Sequence, residues 1–158
     1  VEAALVRKVK VRGYVSCVTD CPYDGRVAPD AVAAVAGELM AMGCYEVSLG
    51  DTIGQGTPET IRDMLIAVLD RVPAGRLAGH YHDTGGRALD NIEMSLELGL
   101  RVFDAAVGGL GGCPYAPGAK GNVATEKVHD RLTALGLSTG LDREVLGRAG
   151  DMAKAMRG

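Results

Sequence analysis

The stretch GCYEVSLGDTIGQGTPE, residues 43–59, decides the fold. Tyr45 to Thr52 is a run of β-formers that ends in polar residues, a strand whose last side chains meet solvent or ligand. Thr57-Pro58 reads as a helix cap followed by a first-turn proline. Ile61, Leu65, Val68 and Val72 then recur at helical spacing. One strand, one polar turn and one amphipathic helix make a βα unit.

Working outward, the unit repeats. Upstream, Val9 to Val18 is strand-like, residues 19–28 form a polar turn region, and Pro29 opens a helix with Val32, Val35, Ala36, Leu39 and Met40 on one stripe. Gly43 stops that helix in the C′ position. Downstream, Leu77 to Thr84 is a third strand, followed by a helix with Leu89, Ile92, Met94 and Leu96 that Gly99 closes. Arg101 to Val107 is a fourth strand. A last helix begins near Thr125, and another runs from Leu141 to about Met156. Residues 1–8 read as the end of a helix whose start is absent, and a chain that opens on Val1 agrees with a fragment. Successive βα units at this spacing predict a parallel α/β sheet, with ligands at the C-terminal ends of the strands.

Composition narrows the class. The chain has 158 residues, 47% apolar, with a formal charge of −3 and mixed signs along its length. That suits one globular domain and points to no nucleic-acid partner; no apolar run reaches membrane-spanning length. Four cysteines, Cys17, Cys21, Cys44 and Cys113, contain no C-x-x-C and read as free thiols. Cys17 and Cys44 read as small buried strand residues.

Two elements carry chemistry. His80 and His82 stand two apart on a strand and so share a face, the arrangement of a metal site or of two structural imidazoles. With Asn122 or carboxylates supplying oxygen, a mixed N/O set favours Mg²⁺ or Mn²⁺ over a closed zinc site. Asp83 points to the opposite face and suits a strand-end cap. The second element is GGLGGCPYAPGAKGN, residues 108–122, where six glycines surround Cys113. That density excludes a helix or strand interior. A thiol on such a loop serves as acid or base when its pKa is tuned, or anchors the loop as an apolar group. Asp51 and Thr52 end the second strand, with Ser48 deeper along it; Asp51 binds substrate hydroxyls or ligand waters, or caps the following turn.

VGGLGGCPYAPGAKGN (107–122), HYHDTGGRALDN (80–91), RGYVSCVTDCPYDGR (12–26) and GCYEVSLGDTIGQGTPE together resemble the 3-hydroxy-3-methylglutaryl-CoA (HMG-CoA) lyases. The likeness runs from about Val9 to about Gly150. Isopropylmalate and homocitrate synthases, related Claisen-type enzymes, share the H-x-H-D pair but lack GGCPY.

The resemblance implies a TIM (β/α)8 barrel. Residues 1–158 would be the C-terminal half of one catalytic domain, covering about strands 5–8. It implies cleavage of HMG-CoA to acetyl-CoA and acetoacetate, a step of leucine degradation and ketone-body formation, with Mg²⁺ or Mn²⁺. His80, His82 and Asn122 match the metal ligands, Cys113 and Asp51 the catalytic residues, and Ser48 and Thr52 substrate-binding positions. The family's Arg-Asp pair from its first strand has no counterpart here. Expected partners are an acyl-CoA substrate, the N-terminal half of the barrel and further copies of the chain. The expected compartment is the cytoplasm in a bacterium and the mitochondrial matrix in a eukaryote. A half-barrel also implies two unpaired strand edges, Val9–Val18 and Arg101–Val107, and inner faces carrying Val47, Leu49, Val102 and Ala106. Such a chain is half of a lyase or of a related Claisen-type acyl-CoA enzyme, a catalytically silent half-barrel that self-associates, or a metal-binding or redox module built on the cysteines.

Overall fold

The computed structural model describes residues 1–112 and 121–156. In chain order the strands are β1 (Arg12–Val15), β2 (Asp20–Cys21), β3 (Gly25–Arg26), β4 (Glu46–Asp51), β5 (Leu77–Tyr81) and β6 (Val102–Phe103). The α-helices are α1 (Glu2–Val6), α2 (Pro29–Ala41), α3 (Pro58–Leu69), α4 (Ala88–Glu97), α5 (Thr125–Ala134) and α6 (Arg143–Ala155). β1, β4, β5 and β6 form one parallel sheet in that order, so sequential strands are spatial neighbours joined by helices. β2 and β3 pair as a small antiparallel hairpin inside the expected turn region.

Local chemistry explains the boundaries. Pro29 and Pro58 occupy the first turns of α2 and α3. Thr57 accepts the Thr60 amide while the Thr60 hydroxyl accepts the Thr57 amide, a reciprocal cap. Gly43 (φ +98°) and Gly99 (φ +94°) end α2 and α4 in the left-handed region. The first strand is shorter than the expected Val9–Val18. Lys8 (φ 59°) and Cys17 (φ 57°), both left-handed, turn the chain on either side of it. Cys17 is therefore a turn residue, whereas Cys44 is a buried one. The fourth strand also shrinks to two residues, and Ala106 makes only an isolated bridge to Ala124.

Register sorts the side chains into two faces, because directly paired residues of a parallel sheet point the same way. Val15, Leu49 and Gly79 align, as do Gly13, Val47 and Leu77, and Asp51 with Tyr81. This face is apolar and packs with Val32 and Ala36 of α2, Ile61, Leu65 and Val68 of α3, and Ile92 of α4. The opposite face aligns Arg12 with Glu46, Tyr14 with Ser48 and Ala78, and Gly50 with His80. It is polar, and Tyr14 on it is 55% exposed. The expectation for Val47 and Leu49 is thus corrected: both are fully buried under the helices, and the face open to a barrel interior carries charge. Val35 departs from its stripe and is exposed, while Ala33 takes the buried position.

Candidate active site

The site grows from the polar face at the C-terminal end of the sheet. β5 ends at Tyr81, and the next residue, His82, forms an isolated antiparallel bridge with Asn122. Two motifs 40 residues apart thereby meet. The imidazoles of His80 and His82 lie 5.5 Å apart between centroids, tilted by 44°. Tyr14 approaches His80 edge-on at 6.3 Å.

Each ring is fixed differently. His80 Nδ1 lies 3.1 Å from Asp104 Oδ2. His82 hydrogen-bonds the Thr52 backbone carbonyl, and its Nδ1 is buried without a hydrogen-bond partner among the described residues. Burial, then the neighbouring His80, hold the His82 pKa below its ordinary value, against the opposing pull of the Thr52 bond. The lowered pKa favours the neutral ring, the form in which histidine binds cations. Asn122 Nδ2 donates to the Leu110 carbonyl at 3.0 Å, which sets the amide plane and leaves the side-chain oxygen as an acceptor.

Asp104 collects a network across three strands. Ser48 Oγ donates to Oδ2 at 2.8 Å, and Arg12 Nη1 lies 2.9 Å from the carboxylate. Arg12 also bonds Glu46 through Nε at 2.5 Å and sits 5.0 Å over the Tyr14 ring. Burial pushes the Asp104 carboxyl up, but the bonds from His80, Ser48 and Arg12 more than offset it, and its pKa falls below the usual range. Arg12 is likewise held charged: burial opposes the cation, and Glu46 and Asp104 outweigh it.

Other expected site residues occupy different places. Asp51 lies on the helix-covered face and is fully buried. Its Oδ1 accepts from the Gln55 amide (3.2 Å) and the Thr19 hydroxyl (3.3 Å), and its Oδ2 from the Gly56 amide (2.9 Å). The turn-capping reading fits this geometry, and the carboxylate stands apart from the imidazole face. Ser48 is on that face, but it is fully buried with its hydroxyl committed to Asp104. Thr52 Oγ1 accepts from the Cys17 amide at 2.9 Å. Asp83 caps as expected: Oδ1 accepts the Ala88 amide at the start of α4 at 3.4 Å, and Oδ2 pairs with Lys127 at 3.2 Å. Cys113 lies outside the described residues.

Two groups were missed in the sequence. Asp104 sits inside the apolar run RVFDAAV; its alternation with Val102, which places it on the polar face, was the available signal. Glu126, at the start of α5, binds the Gly108 amide with both carboxylate oxygens at 3.0 and 3.1 Å, tying α5 to the glycine loop. A cavity of about 290 Å³ opens beside Asn122, bordered by Asp83, Glu126, Lys127 and Lys154.

The donor set fits a hard or borderline cation: two imidazoles and an amide oxygen at one strand end. Among the described residues, no three His, Cys, Asp or Glu side chains gather as a cage, so a cation here needs ligands beyond these.

Comparison with known proteins agrees with this architecture. The HMGL-like family model matches residues 1–152. The mitochondrial hydroxymethylglutaryl-CoA lyase of Rattus norvegicus is 55% identical over 150 residues, covering 95% of this chain and 46% of the relative. The 3-hydroxy-3-isohexenylglutaryl-CoA/hydroxy-methylglutaryl-CoA lyase of Pseudomonas aeruginosa is 57% identical over 157 residues, covering 99% and 52%. The crystal structure of the HMG-CoA lyase from Brucella melitensis superposes with a TM-score of 0.97 at 63% identity, over 99% of this chain and 55% of that one. The chain spans about half the length of the relatives it matches. Its four parallel strands and their helices are those of a TIM-barrel enzyme family, and the chain belongs to the HMGL-like family.

Proposed function

We propose that the chain forms the C-terminal, metal-bearing half of a TIM-barrel lyase that cleaves HMG-CoA to acetyl-CoA and acetoacetate. One observation carries the reading: the His80 and His82 rings lie side by side on the polar face, bridged through His82 to Asn122. His80, His82 and Asn122 would hold Mg²⁺ or Mn²⁺, which when bound supplies Lewis acidity to substrate oxygens. The chain's own part is to orient and to move protons. Asn122 is oriented by Leu110, and His82 by Thr52. Cys113 is assigned as the acid or base of the glycine loop. Asp51 is assigned a positioning role: it holds the turn that carries Thr52, and Thr52 in turn holds His82. The acyl-CoA substrate follows from the relatives' named activity. The expected compartment is the cytoplasm for a bacterial chain and the mitochondrial matrix for a eukaryotic one.

A second reading is favoured by the open face. Tyr14 and Val102, on the two outer strands of the sheet, are 55% and 40% exposed. Alone, the chain would then be a silent half-barrel that pairs with a second copy or with an N-terminal half. Titration with Mn²⁺ by calorimetry tests the metal reading: binding should be weak in the chain alone and lost in His82→Ala. Unchanged binding in that variant would remove His82 from the ligand set.

A further inference from the structure

We infer that Asp104 is the positioning residue of this half-site, fixing the His80 ring so that Nδ1 carries the proton and Nε2 faces the open interior. The inference rests on the metal reading only for its consequence, since the tautomer is a property of the chain itself.

Hydrogen-bond direction fixes the tautomer. A carboxylate oxygen only accepts, so the nitrogen 3.1 Å from Asp104 Oδ2 must donate. In a neutral imidazole the lone pair then sits on Nε2, the nitrogen left for a ligand. Asp104 itself cannot swing away. Its backbone amide donates to Gly79 at 2.9 Å, extending the β5–β6 ladder by one residue. Its carboxylate is gripped from β1 by Arg12 and from β4 by Ser48. Three strands thus converge on one carboxylate, and among the described residues the ring it touches is that of His80. Arg12 does more than pair: held in turn by Glu46 and Tyr14, it keeps a positive charge against a carboxylate that is largely withdrawn from water. A merely structural ion pair between Arg12 and Asp104 needs neither His80 nor Ser48.

His82 is the internal contrast. Its ring meets the Thr52 carbonyl, which also only accepts, while its Nδ1 has no partner among the described residues. Of these two rings, only His80 meets the Asp104 carboxylate.

Long-range ¹H–¹⁵N correlation spectra of the labelled chain at neutral pH read the tautomer of each of its three imidazoles directly. In the unmodified chain His80 should appear as the Nδ1–H form; an Nε2–H form or an even mixture there overturns the inference without any variant. Asp104→Ala should convert His80 to a mixture while leaving His82 unchanged. Ser48→Ala, which removes a different bond to the same carboxylate, should leave both rings unchanged. A His80 tautomer that survives Asp104→Ala overturns the inference. Mn²⁺ affinity supplies the second readout, expected to fall about 10- to 100-fold in Asp104→Ala. If the unmodified chain binds no Mn²⁺ the metal reading fails, and the tautomer spectra still decide the role of Asp104.

Discussion

Replacing Asp51 by Asn separates a structural carboxylate from a chemical one. The change keeps shape and removes the charge. In the native chain both oxygens are in use: Oδ1 by the Gln55 amide and the Thr19 hydroxyl, Oδ2 by the Gly56 amide. An Asn amide has one oxygen and one NH₂ group, so either orientation sets the NH₂ against a backbone N–H, that of Gly56 or that of Gln55. One buried donor is then stranded at a cost of about 1–3 kcal/mol, and the surviving bonds lose their charge assistance. Part of this is returned, because burial disfavours the Asp51 charge and its pKa is raised. A net loss of about 2–4 kcal/mol follows, which for a chain of this size lowers Tm by about 5–15 °C. Relaxation is blocked on one side: a Cβ at Gly56 would lie 2.8 Å from Asp51 Oδ2, so the loop is already packed against the carboxylate. Thermal unfolding followed by circular dichroism, with Mn²⁺ titration beside it, is the assay. A Tm within about 2 °C of the parent, with cation binding lost, would refute the reasoning and return Asp51 to the chemistry.

Three further outcomes follow. Leu49→Ala, on the helix-covered face, should cost about 2–5 kcal/mol in a denaturant melt, while Tyr14→Ala on the polar face should cost about 1 kcal/mol or less; equal losses would mean that the two faces are misassigned. Arg143 holds the Asp130 carboxylate at 2.6 and 3.0 Å and lowers its pKa, so the pair's contribution is present above the ordinary aspartate value of about 3.9 and is lost as pH falls through the depressed folded value. Carboxyl ¹³C titration should show the Asp130 midpoint rising in Arg143→Ala, and a fixed midpoint would deny the coupling. In a barrel completed by an N-terminal half, Cys113→Ala should reduce turnover about 10²- to 10⁴-fold with cation affinity nearly intact; parallel loss of both would make the thiol a ligand or an anchor.

The βα order was legible because its signals are local. The Thr57-Pro58 start, the Gly43 and Gly99 stops, and the stripe Ile61, Leu65, Val68 and Val72 each depend on residues a few positions apart. The imidazole pair was legible for the same reason, since period-two alternation needs only one strand. What escaped depends on register between strands. Nothing within 45–52 tells which parity faces the helices, so Val47 and Leu49 were placed on the wrong side. Asp104 draws its meaning from Arg12, 92 positions away, and from Ser48, 56 away. Strand length also escaped, because the left-handed turns at Lys8 and Cys17 occur at residues that do not advertise them.

The role proposed for these residues is that of the metal-bearing half of an HMG-CoA lyase. The most direct measurement mixes the purified chain with the separately expressed N-terminal half of the Pseudomonas aeruginosa relative and follows acetoacetate release from HMG-CoA in Mn²⁺. Neither half alone should turn over. The mixture should form acetoacetate, and His80→Ala or His82→Ala in this chain should abolish it. A stable complex of the halves that stays inactive, or activity that survives both substitutions, would contradict the account.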